Sequence, residues 1–201
     1  MDNSSNNKVF IIKLASILFA ITFIATLLLT LCNYLTKDRI AELAAKNAEI
    51  AKQEVLEDAT FENIELSDDM IAKLQKEFSF VAAYKAERNN EFAGYCINVA
   101  PAGFGGNIDM IVGLDSELNF TGIKIISMAE TPGLGAKAQD ESFYGQYADG
   151  KKGTLSVVKN NPSPAEDEIQ AISGATITSK AVTDGANAAL EIAKILKKEA
   201  E

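Results

Sequence analysis

Two short runs in this 201-residue chain gather small and hydroxyl-bearing residues of the kind that hold a ligand. The first is Glu130-Thr131-Pro132-Gly133-Leu134-Gly135-Ala136-Lys137, between a run that reads as a strand and one that reads as a helix. Thr131-Pro132 fixes an extended entry, and Pro132-Gly133 suits a type II turn whose glycine takes a positive φ. Gly135 removes a second side chain, so backbone amides can approach a planar or anionic ligand. A plain connecting loop that needs two glycines is the alternative reading. The second run, Ile172-Ser173-Gly174-Ala175-Thr176-Ile177-Thr178-Ser179, leads into the last helical stretch. The free N–H groups and the dipole of a helix N-terminus favour an anion. Gly174 and Ala175 leave room for a phosphate, while Ser173, Thr176, Thr178 and Ser179 offer hydroxyls. Lys180 stands where an acidic residue would suit a bare helix, and a cation there helps only beside a bound phosphate. Simple N-capping is the alternative, although it accounts for one hydroxyl and not four.

The rest of the inventory narrows the chemistry. The chain has no histidine, no tryptophan and two cysteines. This excludes a Ser-His-Asp hydrolase, a histidine-ligated zinc or haem site, and a four-cysteine cluster held by this chain alone. No catalytic residue and no metal ligand is assigned. With 19 basic against 28 acidic residues the net charge is −9, which argues against nucleic acid as a partner. Any redox or group-transfer chemistry is therefore expected to use a borrowed cofactor.

These segments must be positioned by the elements around them. Leu14 to Leu35 is uncharged, and as a helix it would cover ~33 Å, enough for a bilayer core of roughly 30 Å. A cleaved signal peptide fits less well, because the run is long and ends in Leu31-Cys32-Asn33-Tyr34-Leu35 without an Ala-x-Ala pattern. Leu31 also disfavours a lipidated Cys32. The expectation is an uncleaved single-pass anchor, with residues 1–13 as a short tail. Lys8 and Lys13 on one side and Lys37 and Arg39 on the other leave the orientation tied by charge. Residues 36–201 carry 17 bases and 27 acids, a net of −10 that suits a soluble domain kept off an anionic leaflet. Cys32 and Cys96 are too far apart in role to pair and read as small apolar residues, with a membrane partner for Cys32 as the alternative.

Beyond the anchor, Arg39 to about Leu56 has helical spacing and continues it as a juxtamembrane helix, with a linker to residue 66. A helix is expected over Asp68–Phe78, capped by Ser67 or Asp68. Strands follow at Phe80–Ala86, Phe92–Val99, Asp109–Leu114, Phe120–Ser127 and Gly153–Val158, with turns at Asn89-Asn90 and Asp115-Ser116-Glu117. Gly103-Phe104-Gly105-Gly106 reads as a glycine-rich turn, with a share in a ligand wall as the alternative. A short helix is expected over Gln139–Tyr147, an irregular loop at Asn160–Pro164, and a final helix over Thr178–Lys198. The fold class is α+β: one domain over residues 67–201, with an antiparallel sheet and flanking helices behind a transmembrane helix at 14–35.

Ser173-Gly174-Ala175-Thr176 followed by Ile177-Thr178-Ser179 resembles the flavinylation motif of FMN-binding domains, and Glu130 to Gly135 matches their Glu-Thr-Pro-Gly-Leu-Gly signature. With its N-terminal anchor the chain is similar over nearly its whole length to the G-component family of Rnf ion-translocating electron transport complexes. The C component of sodium-pumping NADH:quinone reductases shares the domain. The resemblance implies FMN joined through its phosphate to Thr176, a phosphodiester installed by a dedicated flavin transferase. It implies that Ser173, Gly174, Ala175 and Thr178 hold the phosphate region. It further implies that Glu130, Thr131, Leu134 and Gly135 line the isoalloxazine side, with Gly133 in the same loop and Lys137 lending positive charge. The implied role is an electron carrier in a membrane-bound ferredoxin:NAD oxidoreductase that moves sodium or protons. Its partners would be the other subunits, and its domain would lie on the extracytoplasmic side of the cell membrane. A stand-alone membrane-anchored flavoprotein and a flavin-free tethered scaffold are the alternatives. The pattern departs at Gln170, where the family commonly has aspartate six residues before the modified threonine.

Overall fold

The computed structural model describes residues 3–148, 150–161 and 163–200. The chain divides into two compact units, Met1–Ala45 and Lys46–Glu201. Helix α1, Asn3–Val55, contributes to both. Its apolar window has none of its surface buried by protein and is long and apolar enough to cross a membrane. Three hydroxyls on this helix find partners within it: Ser16 donates to the Ile12 carbonyl (2.9 Å), Thr22 to Leu18 (3.0 Å) and Thr36 to Cys32 (2.8 Å).

The second unit is built on a five-stranded antiparallel sheet in simple sequence order. Its strands are β1 (Thr60–Asn63), β2 (Phe80–Arg88), β3 (Glu91–Val99), β4 (Asp109–Asp115) and β5 (Phe120–Ser127). Helix α2, Asp68–Phe78, has the bounds expected for it, and the Ser67 hydroxyl accepts from the Met70 N–H at 3.4 Å. The β2–β3 turn places Asn89 and Asn90 at φ 55° and 65°, the two positive values of a type I′ hairpin. At the β4–β5 turn the Asp115 carboxylate accepts from the N–H groups of Glu117 and Asn119, both at 2.9 Å. Helix α3 (Glu141–Tyr144), strands β6 (Ser156–Val158) and β7 (Glu168–Gln170), and helix α4 (Thr176–Ala200) complete the unit.

Alternation along β3 and β4 divides the core in two. Tyr95, Ile97, Val99, Met110, Val112 and Leu114 face the main cluster, where α4 contributes Val182, Ala186, Ala189, Leu190 and Ala193. Cys96 and Ile111 face the other way, against Ala51, Val55 and Leu56 of the last turns of α1 and beyond. Lys52 is buried there. Its ammonium meets Glu49 at 2.6 Å and lies 4.0 Å from the Tyr84 ring centroid, so the charge is paired and stacked rather than left alone.

Several expected boundaries are corrected. The compact unit begins at Lys46 rather than residue 67, because the end of α1 covers one sheet face and β1 pairs with β2 inside the stretch read as a linker. Strand β1 is a partly exposed edge without clear alternation, and β7 is three residues long, so neither carries a periodic signal. β7 pairs with β6 in parallel, a small departure from the all-antiparallel expectation. The helix expected at Gln139–Tyr147 breaks into a 3-10 turn at Gly135–Gln139, α3, and a second 3-10 turn at Gly145–Tyr147. α4 begins at Thr176, two residues earlier than expected, which places that threonine in its first turn.

The α4–β6 contact rests on Asn187, whose side chain accepts from the Leu155 N–H at 2.8 Å and donates to the Leu155 carbonyl at 2.9 Å. Asn187→Ala is expected to lower stability by about 2 kcal/mol, because two backbone groups of a buried residue lose their partners. Denaturant unfolding of the full chain in detergent measures this, and a change under about 0.5 kcal/mol would contradict it.

Candidate functional site

One carboxylate joins three segments. The Thr178 hydroxyl, in the first turn of α4, donates to Glu130 Oε2 at 2.7 Å across 48 residues of sequence. Glu130 Oε1 accepts from the backbone N–H groups of Phe104 (2.7 Å) and Gly105 (3.0 Å), which brings in the glycine-rich turn before β4. The glycines make this contact possible. A Cβ on Gly135 would collide with Glu130 Oε2 and sit 2.6 Å from Thr178 Oγ1, and a Cβ on Gly103 would collide with Glu130 Oε1. Gly133 serves differently: its φ of 79° turns the loop as a type II turn requires, with open space around it.

Glu130 is only 8% exposed. Burial pushes its carboxyl upward, but hydrogen bonds from the Gly105 N–H, the Thr178 hydroxyl and the Phe104 N–H together hold it below the usual carboxylate value. A carboxyl depressed in the folded state stabilises the protein above its unfolded value of 4.5 and loses that contribution as pH falls through the lower folded value. Glu130→Gln is therefore expected to melt below wild type at pH 7, with a gap that narrows in acid below pH 4.5. Melting temperatures of the full-length protein across that range measure it, and a gap constant with pH would contradict it.

Between these segments lies a cavity of about 330 Å³, within the range of small-molecule sites. Its walls come from Glu130, Thr131, Leu134 and Gly135 on one loop, Gly174 to Thr178 on the other, and Phe104. Phe104, Leu134 and Ile177 stand 69%, 44% and 56% exposed. Large apolar side chains left in water around one cavity suit a flat apolar ligand that covers them. Leu134 Cδ2 would lie 3.2 Å from a Cβ on Gly174, so Gly174, at φ 79°, lets the two loops close on each other.

The hydroxyls of the second motif have different fates. Thr178 is buried and bound to Glu130. Ser179 is buried; its oxygen accepts from the Ile172 N–H at 2.9 Å and its O–H donates to the Ala175 carbonyl at 3.0 Å. Ser173 is exposed in the turn and does not line the cavity. Thr176 is half-buried, lines the cavity, and sits where the helix N–H groups have no intrahelical acceptor. Of the four hydroxyls, it alone faces the cavity without a hydrogen-bond partner among the described residues. The arrangement places the unbonded Thr176 hydroxyl beside an anion-favouring helix end, with Thr131 on the facing loop wall.

Of the residues singled out in sequence, Glu130, Thr131, Leu134, Gly135, Gly174, Ala175, Thr176 and Thr178 come together on the cavity, whereas Gly133, Lys137 and Ser173 do not line it. Lys137 is exposed in the 3-10 turn after the loop and does not line the cavity. Ile177 is a wall that sequence reasoning misses; its one signal is an apolar residue set between two threonines in a first helical turn. Gln170 lies in β7, where its side chain accepts from the Asn161 N–H at 3.0 Å and Gln146 clasps its backbone. Larger hollows of about 530 and 480 Å³ lie near Leu196 and near Lys151, and neither gathers motif residues.

Comparison with known proteins agrees with this geometry. Residues 103–191 match the FMN-binding domain family. The chain is 38% identical over 197 residues to the G component of the Na(+)-translocating ferredoxin:NAD(+) oxidoreductase complex of Acetobacterium woodii, covering 94% of each chain. It is 30% identical to the G component of the ion-translocating oxidoreductase complex of Methanosarcina acetivorans, over 90% of this chain and 93% of that one. Among solved structures, the C component of the Na(+)-translocating NADH-quinone reductase from Parabacteroides distasonis is similar at a TM-score of 0.50 and 27% identity, covering 72% of this chain and 79% of that one. NqrC of Shewanella oneidensis shares the fold at a TM-score of 0.51 and 14% identity, over 72% of this chain and 88% of that one.

Proposed function

The chain belongs to the G-component family of ion-translocating oxidoreductase complexes, and we propose that it carries electrons within such a complex on FMN attached to Thr176. The observation that carries this reading is the free Thr176 hydroxyl in the cavity, at a helix end, beneath an apolar rim. FMN supplies the electron-transfer chemistry; the chain supplies its place. The Thr176 oxygen would form the bond to the flavin phosphate, with net loss of water. Gly174 and Ala175 leave room for that phosphate, and the N–H groups of the first turn of α4 oppose its charge. Thr178 donates its O–H to Glu130 and so remains out of the reaction, while holding the two loops together. Phe104, Leu134 and Ile177, exposed around the cavity, would shield the ring system from water.

The cavity residues fit the group: two glycines where a side chain would close the site, apolar side chains at its mouth, and no competing free hydroxyl on the same helix turn among the described residues. Attachment would require a flavin transferase. The permanence of an ester suits a carrier that never needs to exchange its flavin, on a side of the membrane with little free FMN. That side is extracytoplasmic in this reading, with α1 as the anchor and the remaining subunits as redox partners. Purification from the native membrane tests it: the chain should bring down polytopic partner subunits, and external protease should cleave its domain in intact cells. Isolation without partners would favour a stand-alone flavoprotein, and protection from protease would reverse the placement.

A further inference from the structure

We propose that the Glu130 carboxylate sets the redox potential of the flavin in this cavity, holding it lower than a neutral wall would. This rests on the FMN reading of the same site. Glu130 is the one ionisable side chain among the described residues that line the cavity. It is 8% exposed and is fixed by three donors, two of them backbone N–H groups, so it can neither swing out to water nor rotate away. No basic side chain among the described residues lines the cavity, and Lys137 and Lys180 are both exposed outside it. Other acids on the surface are screened by solvent, whereas a charge in the wall of a covered cavity is screened far less.

Reduction adds more electrons to the flavin than it takes protons from solvent, so the flavin gains net negative charge; Glu130 gains and loses nothing in that half-reaction. It acts by charge alone. Negative charge arriving beside a fixed carboxylate is disfavoured, so the oxidised flavin is favoured relative to the reduced one and the potential falls. This makes the reduced flavin a stronger donor to the next carrier.

The test is a spectroelectrochemical titration of the purified full-length protein carrying its covalent flavin, at one pH, for wild type, Glu130→Gln and Thr178→Val. The expected result is a higher potential in Glu130→Gln. Thr178→Val, which removes a hydrogen bond but keeps the carboxylate, should stay closer to wild type. A flavin-loaded Glu130→Gln with an unchanged or lower potential would overturn the proposal, as would an equal rise in Thr178→Val. If Glu130→Gln loses its flavin, Glu130→Met, a second neutral replacement of similar length, is titrated in its place. It should also raise the potential, and a potential at or below wild type there would overturn the proposal. Wild type that carries no FMN would remove the functional reading itself, a failure distinct from an unmoved potential.

Discussion

Thr176→Val is expected to leave a folded, membrane-bound chain without covalent flavin. Valine matches threonine in shape, and the Thr176 hydroxyl has no hydrogen-bond partner among the described residues, so the stability change should stay within about 0.5 kcal/mol. What disappears is the only cavity-facing free hydroxyl of the motif. The neighbouring hydroxyls cannot replace it, since Thr178 is held by Glu130 and Ser179 by Ile172 and Ala175. Ser179→Ala should behave in the opposite way: it leaves the Ile172 N–H without its partner and costs about 1–3 kcal/mol, yet keeps the flavin. Flavin fluorescence in a denaturing gel separates the two classes. A fluorescent band in Thr176→Val at wild-type intensity would contradict the assignment. Ferredoxin-to-NAD electron transfer by the complex is expected to fall to background in the same variant.

Gly135→Ala is expected to damage both stability and flavin loading. The added methyl would collide with Glu130 Oε2 and approach Thr178 Oγ1 at 2.6 Å and Glu130 Cβ at 2.9 Å. The Glu130 side chain has nowhere to retreat, because its other oxygen is fixed by the Phe104 and Gly105 amides. Overpacking of this kind costs about 1–3 kcal/mol, and here the strain falls on the bond that closes the cavity. Gly133→Ala provides the contrast. A methyl there meets nothing within 4 Å, so the cost is that of a positive φ alone, about 1–2 kcal/mol. Melting temperature together with flavin content distinguishes them. Both variants should be less stable, and Gly135→Ala should lose the larger share of its flavin. Equal flavin loading in the two would show that the Glu130–Thr178 contact does not shape the site.

Much of this architecture is legible in the sequence, for identifiable reasons. Helix α2 announces itself by a Ser67 cap ahead of a periodic run, and β3, β4 and β5 by apolar runs between turn residues. Asn89-Asn90 points to a hairpin because asparagine tolerates positive φ. Strand β1 is not legible, since Thr60-Phe61-Glu62-Asn63 is an edge whose pairing with β2 is set by the chain beyond it. The reach of the compact unit back to Lys46 is hidden too. The last turns of α1 carry the same helical periodicity whether they face solvent or a sheet, and only the opposing Cys96 and Ile111 decide it.

In the site, residue types and spacing identify the two loops but not how they meet. Glu130 reads as part of a ligand wall; that it also binds Thr178 and two amides depends on a contact 48 residues away in sequence. For the same reason the four hydroxyls look equivalent. Only packing separates the one that faces the cavity from two that hold the loops and one left exposed in the turn. The resemblance implies that Lys137 lends positive charge to the ligand, yet it is exposed in the 3-10 turn at Gly135–Gln139 and does not line the cavity.

The most direct test of the central claim is peptide mass spectrometry on the protein isolated from its native membrane. The peptide containing Thr176 is expected to carry the mass of FMN less one water, with fragment ions that assign it to Thr176 and leave Ser173, Thr178 and Ser179 unmodified. An unmodified Thr176 in the native protein, or an adduct on any other hydroxyl, would contradict the account.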